Sequence, residues 1–183
     1  MATWREKHPS WEYRLWTEKE AYALGMRNAL LFTAFDKVFH AQADVFRYEI
    51  LHKHGGVYVD ADSECLRPLD DVLLDSENFA CLENDHDPPL IMNSFLGAVP
   101  NSALFGAVIE ELGLIDIDAI LAEDRDTLYK IAWVLTGPGC FSEIVHRDRY
   151  TIALHPKHFF ASHGEPGLYG RHWLGSTNRS YSD

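Results

Sequence analysis

The sequence predicts one α/β domain built around a mostly parallel central sheet. Segments with strand character and segments with helix character alternate along the chain, and this order is typical of strands joined through helices. The 183 residues are 46% hydrophobic and 13% aromatic, which supplies enough apolar surface for a single core. No repeat or low-complexity tract divides the chain, so residues 1–183 are interpreted as one domain.

The first elements are expected to be a strand and a helix. Residues 11–16 alternate apolar and polar side chains, which is the pattern of a strand with one buried face. Thr17 followed by Glu20 has the spacing of a capping box, in which the side chain of each residue accepts a hydrogen bond from the backbone N–H of the other. A helix is therefore expected to begin there and to extend into residues 21–31.

A second helix and a short strand come next. Residues 44–54 carry apolar side chains at helical spacing, and Asp44 can cap the N-terminus of such a helix. Gly55 and Gly56 can end it, because glycine tolerates the left-handed conformation. Residues 57–59 are β-branched or aromatic and predict a buried strand directly after the glycines.

The remaining elements continue this alternation. Further strands are expected at residues 79–82, 93–99 and 151–154, and further helices at residues 101–112, at residues 127–135 and after Pro138. Residues 164–183 show no periodicity and are expected to form either a mobile C-terminal loop over a site or a plain tail.

Charge and composition exclude several classes of function. The formal net charge is −12, and no cluster of Lys and Arg exists that could neutralise a nucleic-acid backbone. The longest apolar run, around residues 29–35, is far shorter than the roughly 18 residues of a membrane span, and the N-terminus lacks the apolar core of a signal peptide. The three cysteines form no Cys-x-x-Cys pair, which predicts a reduced, cytoplasmic setting.

Two acidic residues follow the short strand at residues 57–59. Asp60 and Asp62 are two positions apart, so an extended backbone places both carboxylates on one side. Two such charges repel each other unless a cation lies between them, and Mg²⁺ or Mn²⁺ would also leave coordination positions for phosphates. The end of a parallel strand is where α/β proteins bind ligands. An Asp-x-Asp pair is also common in turns and at solvated edges, so this alternative stays open.

The segment around this pair resembles a known family. Residues 43–62 read ADVFRYEILHKHGGVYVDAD and fill every position of the Asp-x-Asp sugar-binding segment of family 32 glycosyltransferases. That family includes initiating α-1,6-mannosyltransferases and capsular polysaccharide transferases, and it is related to clostridial glucosylating toxins. Weaker similarities to the family occur at residues 4–16, at Asn93 with Gly97 and Pro100, at residues 136–138 and at residues 172–176.

The resemblance implies a fold and an activity. The fold would be a Rossmann-like sandwich of the GT-A type, apparently without the family's first strand, because members usually carry that strand before the part that matches Trp4. The activity would be a metal-dependent, retaining transfer of a hexose from a nucleotide-diphosphate sugar, with UDP or GDP, to a hydroxyl of a carbohydrate or glycoconjugate. Polysaccharide or glycoconjugate synthesis is the process expected for such an enzyme.

The resemblance also implies roles for individual residues. Asp60 and Asp62 would hold Mn²⁺ or Mg²⁺ and the donor's diphosphate, with Asp60 also reaching the ribose. Asp44 and Arg47 would bind the hydroxyls of the donor sugar. The other implied contacts are Asn93 with the sugar, and His172 with Ser176 in the metal shell. Arg171 and Thr177 depart from the family's usual closing motif.

Each of these roles has a structural alternative. Asp44 could serve only as an N-cap with Arg47 as its surface ion pair, and Asn93 could merely begin a strand. Tyr58 is interpreted as a packing residue, and His172 and Ser176 could belong to a solvated tail. At the level of the whole protein, the chain could be a degenerate, non-catalytic binding or scaffold subunit. A hydrophobic strand followed by Asp-x-Asp also resembles the first motif of aspartate-nucleophile phosphatases.

Overall fold

The computed structural model of the protein describes residues 2–69, 71–161 and 164–173. The helices are α1 (Ala2–Lys7), α2 (Glu18–Leu24), α3 (Ala29–Ala34), α4 (Phe39–His54), α5 (Asp71–Leu74), α6 (Ala103–Leu112), α7 (Ile117–Ala122), α8 (Arg125–Leu135) and α9 (Pro138–Asp148). The strands are β1 (Gly56–Val59), β2 (Ser63–Cys65), β3 (Asn78–Leu82), β4 (Ile91–Ala98), β5 (Ala153–His155), β6 (Phe160–Ala161) and β7 (Gly170–His172). In this part of the chain, no helix has both the length and the apolar character needed to cross a bilayer.

The strands form two sheets, and the direction of their pairing differs from the prediction. The larger sheet has the order β1-β4-β3-β5, and the smaller one the order β2-β7-β6. β4 pairs antiparallel with both of its neighbours, whereas β3 and β5 are parallel. The α/β class is confirmed, but both sheets are mixed and the mostly parallel sheet is not. The reason is local: β3 and β4 are joined by the loop 83–90 without a crossover helix, and such a connection makes neighbours antiparallel.

Two cores lie on opposite faces of the larger sheet. Side chains along β4 alternate between them, so that Leu96 packs among the helices while Phe95 faces the smaller sheet. Helix α4 occupies the helical layer, where ten of its residues are buried. On the other face, the rings of Phe95 and Phe160 stack with their centroids 4.4 Å apart. The sheet is therefore held between a helical layer and a second, smaller β-layer.

Helix α4 is longer than the sequence pattern predicted. It begins at Phe39 rather than at Asp44, and its N-cap is Val38. Asp44 consequently lies inside the helix and is buried, so its predicted N-cap role is wrong. The predicted C-terminal end is confirmed, because Gly55 has a φ of +65°. A Cβ atom on Gly55 would also lie 2.6 Å from the ring of Pro100, so glycine is required there.

The N-terminal strand is another correction. Residues 11–16 form no strand and run along the surface, with Trp11 and Leu15 40% and 49% exposed. The capping box after them is confirmed, since the backbone N–H of Thr17 donates to the carboxylate of Glu20. All six residues of this segment line a cleft, and its two less exposed side chains, Tyr13 and Trp16, are three positions apart. The alternation therefore corresponds neither to backbone pairing nor to one buried face.

The strand β1 was predicted to be buried, and the structure places it at the edge of the larger sheet. Its residues are only partly buried, and Gly56 is exposed. The later predicted elements are mostly confirmed, whereas α1, α7, β2, β6 and β7 were not foreseen. The helix expected to extend into residues 21–31 is wrong in length, because left-handed Gly25 ends α2 at Leu24 and α3 begins only at Ala29. Because β1 is an edge strand, its last residues lie next to open space, and that space contains the acidic pair.

Candidate active site

The acidic pair lies in the turn that follows β1. The backbone N–H of Asp60 still donates to the carbonyl of Ser94 on β4, so the ladder continues for one residue beyond the strand. The backbone N–H and the hydroxyl of Ser63 then donate to the carbonyl of Asp60, at 3.0 and 2.6 Å, and close the turn. These bonds fix the backbone of both aspartates independently of the contacts that their side chains make.

The two carboxylates converge on one imidazole. The Nε2 atom of His172 lies 2.8 Å from Oδ1 of Asp62 and 3.4 Å from Oδ2 of Asp60. One ligand atom from each of the three residues lies within 4.8 Å of the other two. Two carboxylate oxygens and one imidazole nitrogen form a donor set that suits Mn²⁺, and the two carboxylates alone suit Mg²⁺.

His172 reaches this position through pairing of distant strands. β7 pairs antiparallel with β2, and this register places His172 opposite Ser63. The backbone N–H of Trp173 also donates to the carbonyl of Asp62. The side chain of His172 is consequently buried against the acidic turn, which excludes the solvated-tail alternative for this residue. Ser176 lies outside the described residues, so its predicted role stays a prediction.

The other oxygen of Asp60 is held from the protein side. Oδ1 accepts a hydrogen bond of 2.9 Å from the hydroxyl of Tyr58 and lies 3.2 Å from Nη2 of Arg47. The guanidinium of Arg47 also lies over the ring of Tyr58, 4.8 Å from its centroid. Burial raises the pKa of Tyr58 well above its usual value, so the phenol stays neutral and donates. With Oδ1 engaged twice, Oδ2 is the oxygen left for a ligand.

Tyr58 is therefore a residue whose role the sequence interpretation missed. The alternation of residues 57–59 indicated packing only, and the ring does pack against Arg47. Its hydroxyl, however, contacts the carboxylate two residues ahead on the same side of the extended chain. The same two-residue spacing that was applied to Asp60 and Asp62 relates Tyr58 to Asp60, and this signal could have found it.

A buried polar network lies beneath the acidic pair. Asp44 and Arg47 form an ion pair with Oδ1 and Nη2 3.1 Å apart, and both residues are at most 5% exposed. The Nη1 atom of Arg47 donates to the backbone carbonyl of Asn93 at 2.6 Å. The side-chain amide of Asn93 in turn donates to Asp44 Oδ1 at 2.8 Å. These three predicted site residues are therefore brought together, and the surface ion pair proposed as an alternative is excluded.

Two further residues complete this network. Asp44 Oδ2 accepts from the hydroxyl of Thr136 at 3.3 Å, and the amide of Asn93 also donates to the hydroxyl of Tyr48. Burial raises the pKa of Asp44 to about 6, although the neighbouring Arg47 acts in the opposite direction. Arg47 is thus one cation shared between two carboxylates, those of Asp44 and Asp60. The site carries excess negative charge that a bound cation would neutralise.

The acidic pair opens into a large cleft of about 1090 Å³. The cleft is lined by a face of α4, by β1 and by the segment 11–16. The α4 residues that line the cleft recur at spacings of three and four positions and so share one helix face: Phe39, His40, Ala43, Phe46, Arg47, Ile50, Leu51 and His54. At 1.5 Å per residue, the cleft follows this helix for about 20 Å, with Arg47 near its middle.

The cleft has the size of a substrate site, and a second cavity lies in another part of the molecule. Pockets for small molecules span roughly 300–1,000 Å³, so this cleft is at the upper end of that range. A cavity of about 830 Å³ lies between the loop 84–90 and α9, and it contains none of the acidic, imidazole or guanidinium groups described above. The cleft beside Asp60 is therefore the candidate active site.

Comparison with known proteins identifies a family and relatives that the chain resembles. Residues 1–80 match the family described as glycosyltransferase sugar-binding region containing the DXD motif, which confirms the resemblance inferred from residues 43–62. Inositol phosphoceramide mannosyltransferase 2 of Schizosaccharomyces pombe is 34% identical over 57% of this chain and 30% of its own length. A mannosyl phosphorylinositol ceramide synthase of Saccharomyces cerevisiae is 32% identical over 57% of this chain and 27% of its own length.

The match to these relatives is partial. The chain spans about a third or less of the curated relatives' lengths. Among solved structures, the PaToxG glycosyltransferase aligns with a TM-score of 0.47 and 13% identity, over 72% of this chain and 45% of the other.

Proposed function

We propose that this chain, whose residues 1–80 match the sugar-binding region of DXD glycosyltransferases, transfers a hexose from a nucleotide-diphosphate sugar to an acceptor hydroxyl. The observation that carries the proposal is the convergence of Asp60, Asp62 and His172 at the wall of the cleft. Three potential ligand atoms within 4.8 Å of one another suit a divalent cation, and a nucleotide diphosphate is a ligand that such a cation bridges.

The proposed metal ligands are Asp60 Oδ2, Asp62 Oδ1 and His172 Nε2. A bound Mn²⁺ or Mg²⁺ would supply positive charge to the departing diphosphate, which is the main electrostatic requirement of this reaction. Tyr58 and Arg47 hold the opposite oxygen of Asp60 and thereby fix the orientation of its carboxylate. Mn²⁺ is the favoured ion because imidazole is a better ligand for it than for Mg²⁺.

The donor sugar is proposed to lie over Arg47. Among Asp44, Arg47 and Asn93, it is Arg47 whose atoms line the cleft. Asp44 and Asn93 lie behind it and are proposed to act through it, by holding the guanidinium with an ion pair of 3.1 Å and a hydrogen bond of 2.6 Å. Sugar hydroxyls could then accept from the remaining N–H groups of Arg47.

The proposed reaction retains the configuration of the sugar. The acceptor hydroxyl attacks the anomeric carbon on the face from which the diphosphate leaves. The new C–O bond forms as the bond to the diphosphate breaks, and a diphosphate oxygen takes the proton of the hydroxyl. A GT-A type fold and the retaining outcome rest on the family resemblance and on no geometry beyond it.

The names of the relatives suggest which substrates to test first. By their names, these relatives transfer mannose to inositol phosphoceramide. We therefore propose a mannose donor and a glycolipid acceptor as the first substrates to test, before a polysaccharide acceptor. GDP and UDP sugars are both candidate donors. Cytoplasmic location stays a prediction.

The decisive experiment combines product analysis with a matched pair of variants. Purified protein is incubated with Mn²⁺, a pool of GDP and UDP sugars and candidate acceptors, and the products are identified by mass spectrometry. Asp62→Asn should reduce transfer at least about 100-fold, the size expected when an electrostatic contact of the transition state is lost. Asp75→Asn, an exposed acid outside the cleft, should transfer normally.

Melting curves complete this test. Mn²⁺ with GDP or UDP should raise the melting temperature of the wild-type protein, because ligand binding to the folded state stabilises it. Transfer by Asp62→Asn at the wild-type rate, with a normal melting curve, would contradict the proposal. A protein that neither binds Mn²⁺ and nucleotide nor forms product would be the non-catalytic subunit instead.

A further inference from the structure

The second cavity, of about 830 Å³, has no part in the proposed transfer. It lies between the loop 84–90, the C-terminal part of α8 and one face of α9. Its lining residues all fall between positions 84 and 147, so the cavity lies outside the residues 1–80 that match the family. That match therefore assigns no role to it, and its own side chains are the guide to a ligand.

Hydrogen bonds hold the loop 84–90 against α9. The backbone N–H of Ile91 donates to the hydroxyl of Ser142 at 2.8 Å, at the point where the loop joins β4. The Nε2 atom of His146 lies 2.8 Å from the carbonyl of Pro89, and because a carbonyl only accepts, Nε2 donates. Two walls of the cavity are thus fixed to each other in the absence of a ligand, which lowers the entropic cost of binding one.

The indole of Trp133 forms an apolar wall of the cavity. Trp133 is 48% exposed, although its ring is held against α9. A Cβ atom on Gly139 would lie 2.9 Å from Cζ3 of this indole, so glycine is required for the ring to lie there. Glycine is less favourable than alanine in a helix, and Gly139 is the second residue of α9. The helix thus gives up a Cβ atom where the indole packs, and nearly half of Trp133 stays accessible.

Two polar side chains beside the indole have hydrogen-bonding groups to spare. Oδ1 of Asn84 accepts from the backbone N–H groups of His86 and Leu90, at 3.2 and 2.9 Å. This leaves the amide NH₂ of Asn84 with two donors and no acceptor in the described part of the chain. Glu143 is exposed on α9, and its carboxylate forms neither an ion pair nor a hydrogen bond with any described residue. The cavity wall therefore offers both donors and acceptors next to an apolar ring.

The charges on the wall do not favour an anionic ligand. Arg147 is the Lys or Arg side chain that lines the cavity in the described residues, and it is already paired. Its Nη2 atom lies 2.9 Å from a carboxylate oxygen of Glu111 and 2.9 Å from one of Asp148. Phosphates and carboxylates would thus meet the unpaired charge of Glu143 without a free cation. The ligand expected here is uncharged or positively charged.

The single indole favours a saccharide over an ammonium compound. Ammonium ligands are typically held in cages of several aromatic rings, whereas Trp133 is the one Trp, Tyr or Phe side chain among the described residues of this wall. A pyranose has one apolar C–H face that can pack on an indole. Its hydroxyls can donate to a carboxylate and accept from an amide, which are the groups of Glu143 and Asn84.

The cavity adjoins the candidate active site across one turn of α8. Tyr129 lines the cleft and Trp133 lines the cavity, and these residues are four positions apart on the helix. This spacing corresponds to about 6 Å along the axis and places both residues on one face of α8. A ligand of the cavity would therefore lie beside the cleft and not within it.

We propose that the second cavity binds a neutral pyranose residue of a glycan, with its C–H face on Trp133 and its hydroxyls on Asn84 and Glu143. This binding needs neither a divalent cation nor a nucleotide, so the site goes beyond the proposed transfer and does not depend on it. A glycan held in the cavity is kept next to the cleft, and in a transferase it would extend the saccharide-binding surface past the active site.

The test is a titration of the full chain with the methyl glycosides of mannose, glucose and galactose, without Mn²⁺ or nucleotide, by saturation-transfer NMR. At least one glycoside should bind, with the strongest saturation on the protons of its C–H face. Trp133→Ala and Glu143→Gln should each weaken its binding at least about tenfold, because they remove the stacking surface and a charged acceptor. Glu110→Gln, an exposed acid outside the cavity and the cleft, should leave the affinity unchanged.

Further variants and probes make the result decisive. Trp133→Phe keeps a ring at the same position and should keep the binding that Trp133→Ala loses, which separates stacking from a general loss of structure. Binding that persists in both Trp133→Ala and Glu143→Gln would place the glycoside elsewhere and overturn the proposal. Failure of the wild-type protein to bind any glycoside up to the solubility limit would overturn it as well. Choline serves as the ammonium probe, and its binding in place of the glycosides would assign the cavity to cations instead.

The thermal shift with Mn²⁺ and GDP or UDP separates this proposal from the proposed transfer. Trp133→Ala and Glu143→Gln should keep that shift, because both residues lie outside the cleft. A wild-type protein that binds a glycoside through Trp133 but shows no shift would support the saccharide site and contradict the transferase. A protein that shows the shift and binds no glycoside would leave the transferase proposal intact and remove the saccharide site.

Discussion

The buried network under the site and the open acidic pair above it use the same residue types for different purposes. Asp44 is 5% exposed, and its contacts come from Arg47, Asn93 and Thr136. Asp60 and Asp62 are only partly buried and have oxygens directed at one imidazole nitrogen. Burying a carboxylate without partners costs folding free energy, whereas a partly exposed carboxylate stays in contact with water until a cation binds. The surroundings of each aspartate therefore decide whether it positions another side chain or binds a ligand.

Replacing Arg47 should have the largest effect on stability and transfer, because Arg47 contacts both Asp44 in the buried network and Asp60 in the acidic pair. Arg47→Met leaves Asp44 buried without its cation, and breaking such a pair costs about 3–5 kcal/mol of unfolding free energy. Urea denaturation measures this loss. The double variant Asp44→Asn/Arg47→Met should recover much of the stability but no transfer. If Arg47→Met unfolds at the wild-type urea concentration, Arg47 is not part of a buried network.

The pH dependence of stability should single out the buried acid. The pKa of Asp44 is raised from 3.8 to about 6 by burial, so the folded state binds the proton more tightly than the unfolded state does. Stability should therefore fall as the pH rises from about 4 through 6, by about 3 kcal/mol at most for this group.

The matched comparison is wild type against Asp44→Asn, both with EDTA, by chemical denaturation between pH 4 and 7. The wild-type protein should lose stability relative to the variant as the pH rises across this range. Parallel stability curves for the two proteins would mean that Asp44 titrates near its ordinary pKa.

A smaller effect is expected from the hydroxyl that orients Asp60. Tyr58→Phe keeps the ring under Arg47 and removes one of the two contacts of Oδ1. The loss of one hydrogen bond to a carboxylate, about 1.5 kcal/mol, predicts roughly tenfold slower transfer.

The Mn²⁺ dependence of Tyr58→Phe distinguishes positioning from packing. If the hydroxyl orients Asp60, half-saturation should require more Mn²⁺, while the melting temperature without metal changes little. Unchanged Mn²⁺ dependence would assign Tyr58 to packing alone, as the sequence pattern first indicated.

The sequence was most informative where the chemistry is local. In residues 43–62, a spacing of two residues puts Asp60 beside Asp62, and a spacing of three puts Asp44 beside Arg47 on the helix that Gly55 ends. The predictions failed where the pattern was ambiguous. Residues 11–16 alternate like a strand, yet all six line a cleft and none is buried, because a short alternation also occurs in segments whose backbone is unpaired.

The sequence alone determined the Asp-x-Asp pair, the glycine-terminated helix before it and the family they indicate, because each depends on neighbours within a few residues. Only the tertiary structure decided that Asn93 and Thr136 reach Asp44, that His172 meets the acidic turn, and that β4 runs antiparallel to β1. Those contacts join residues between 36 and 110 positions apart. At such separations, side chains meet because two cores form on opposite faces of one sheet, and a short-range pattern carries no record of that packing.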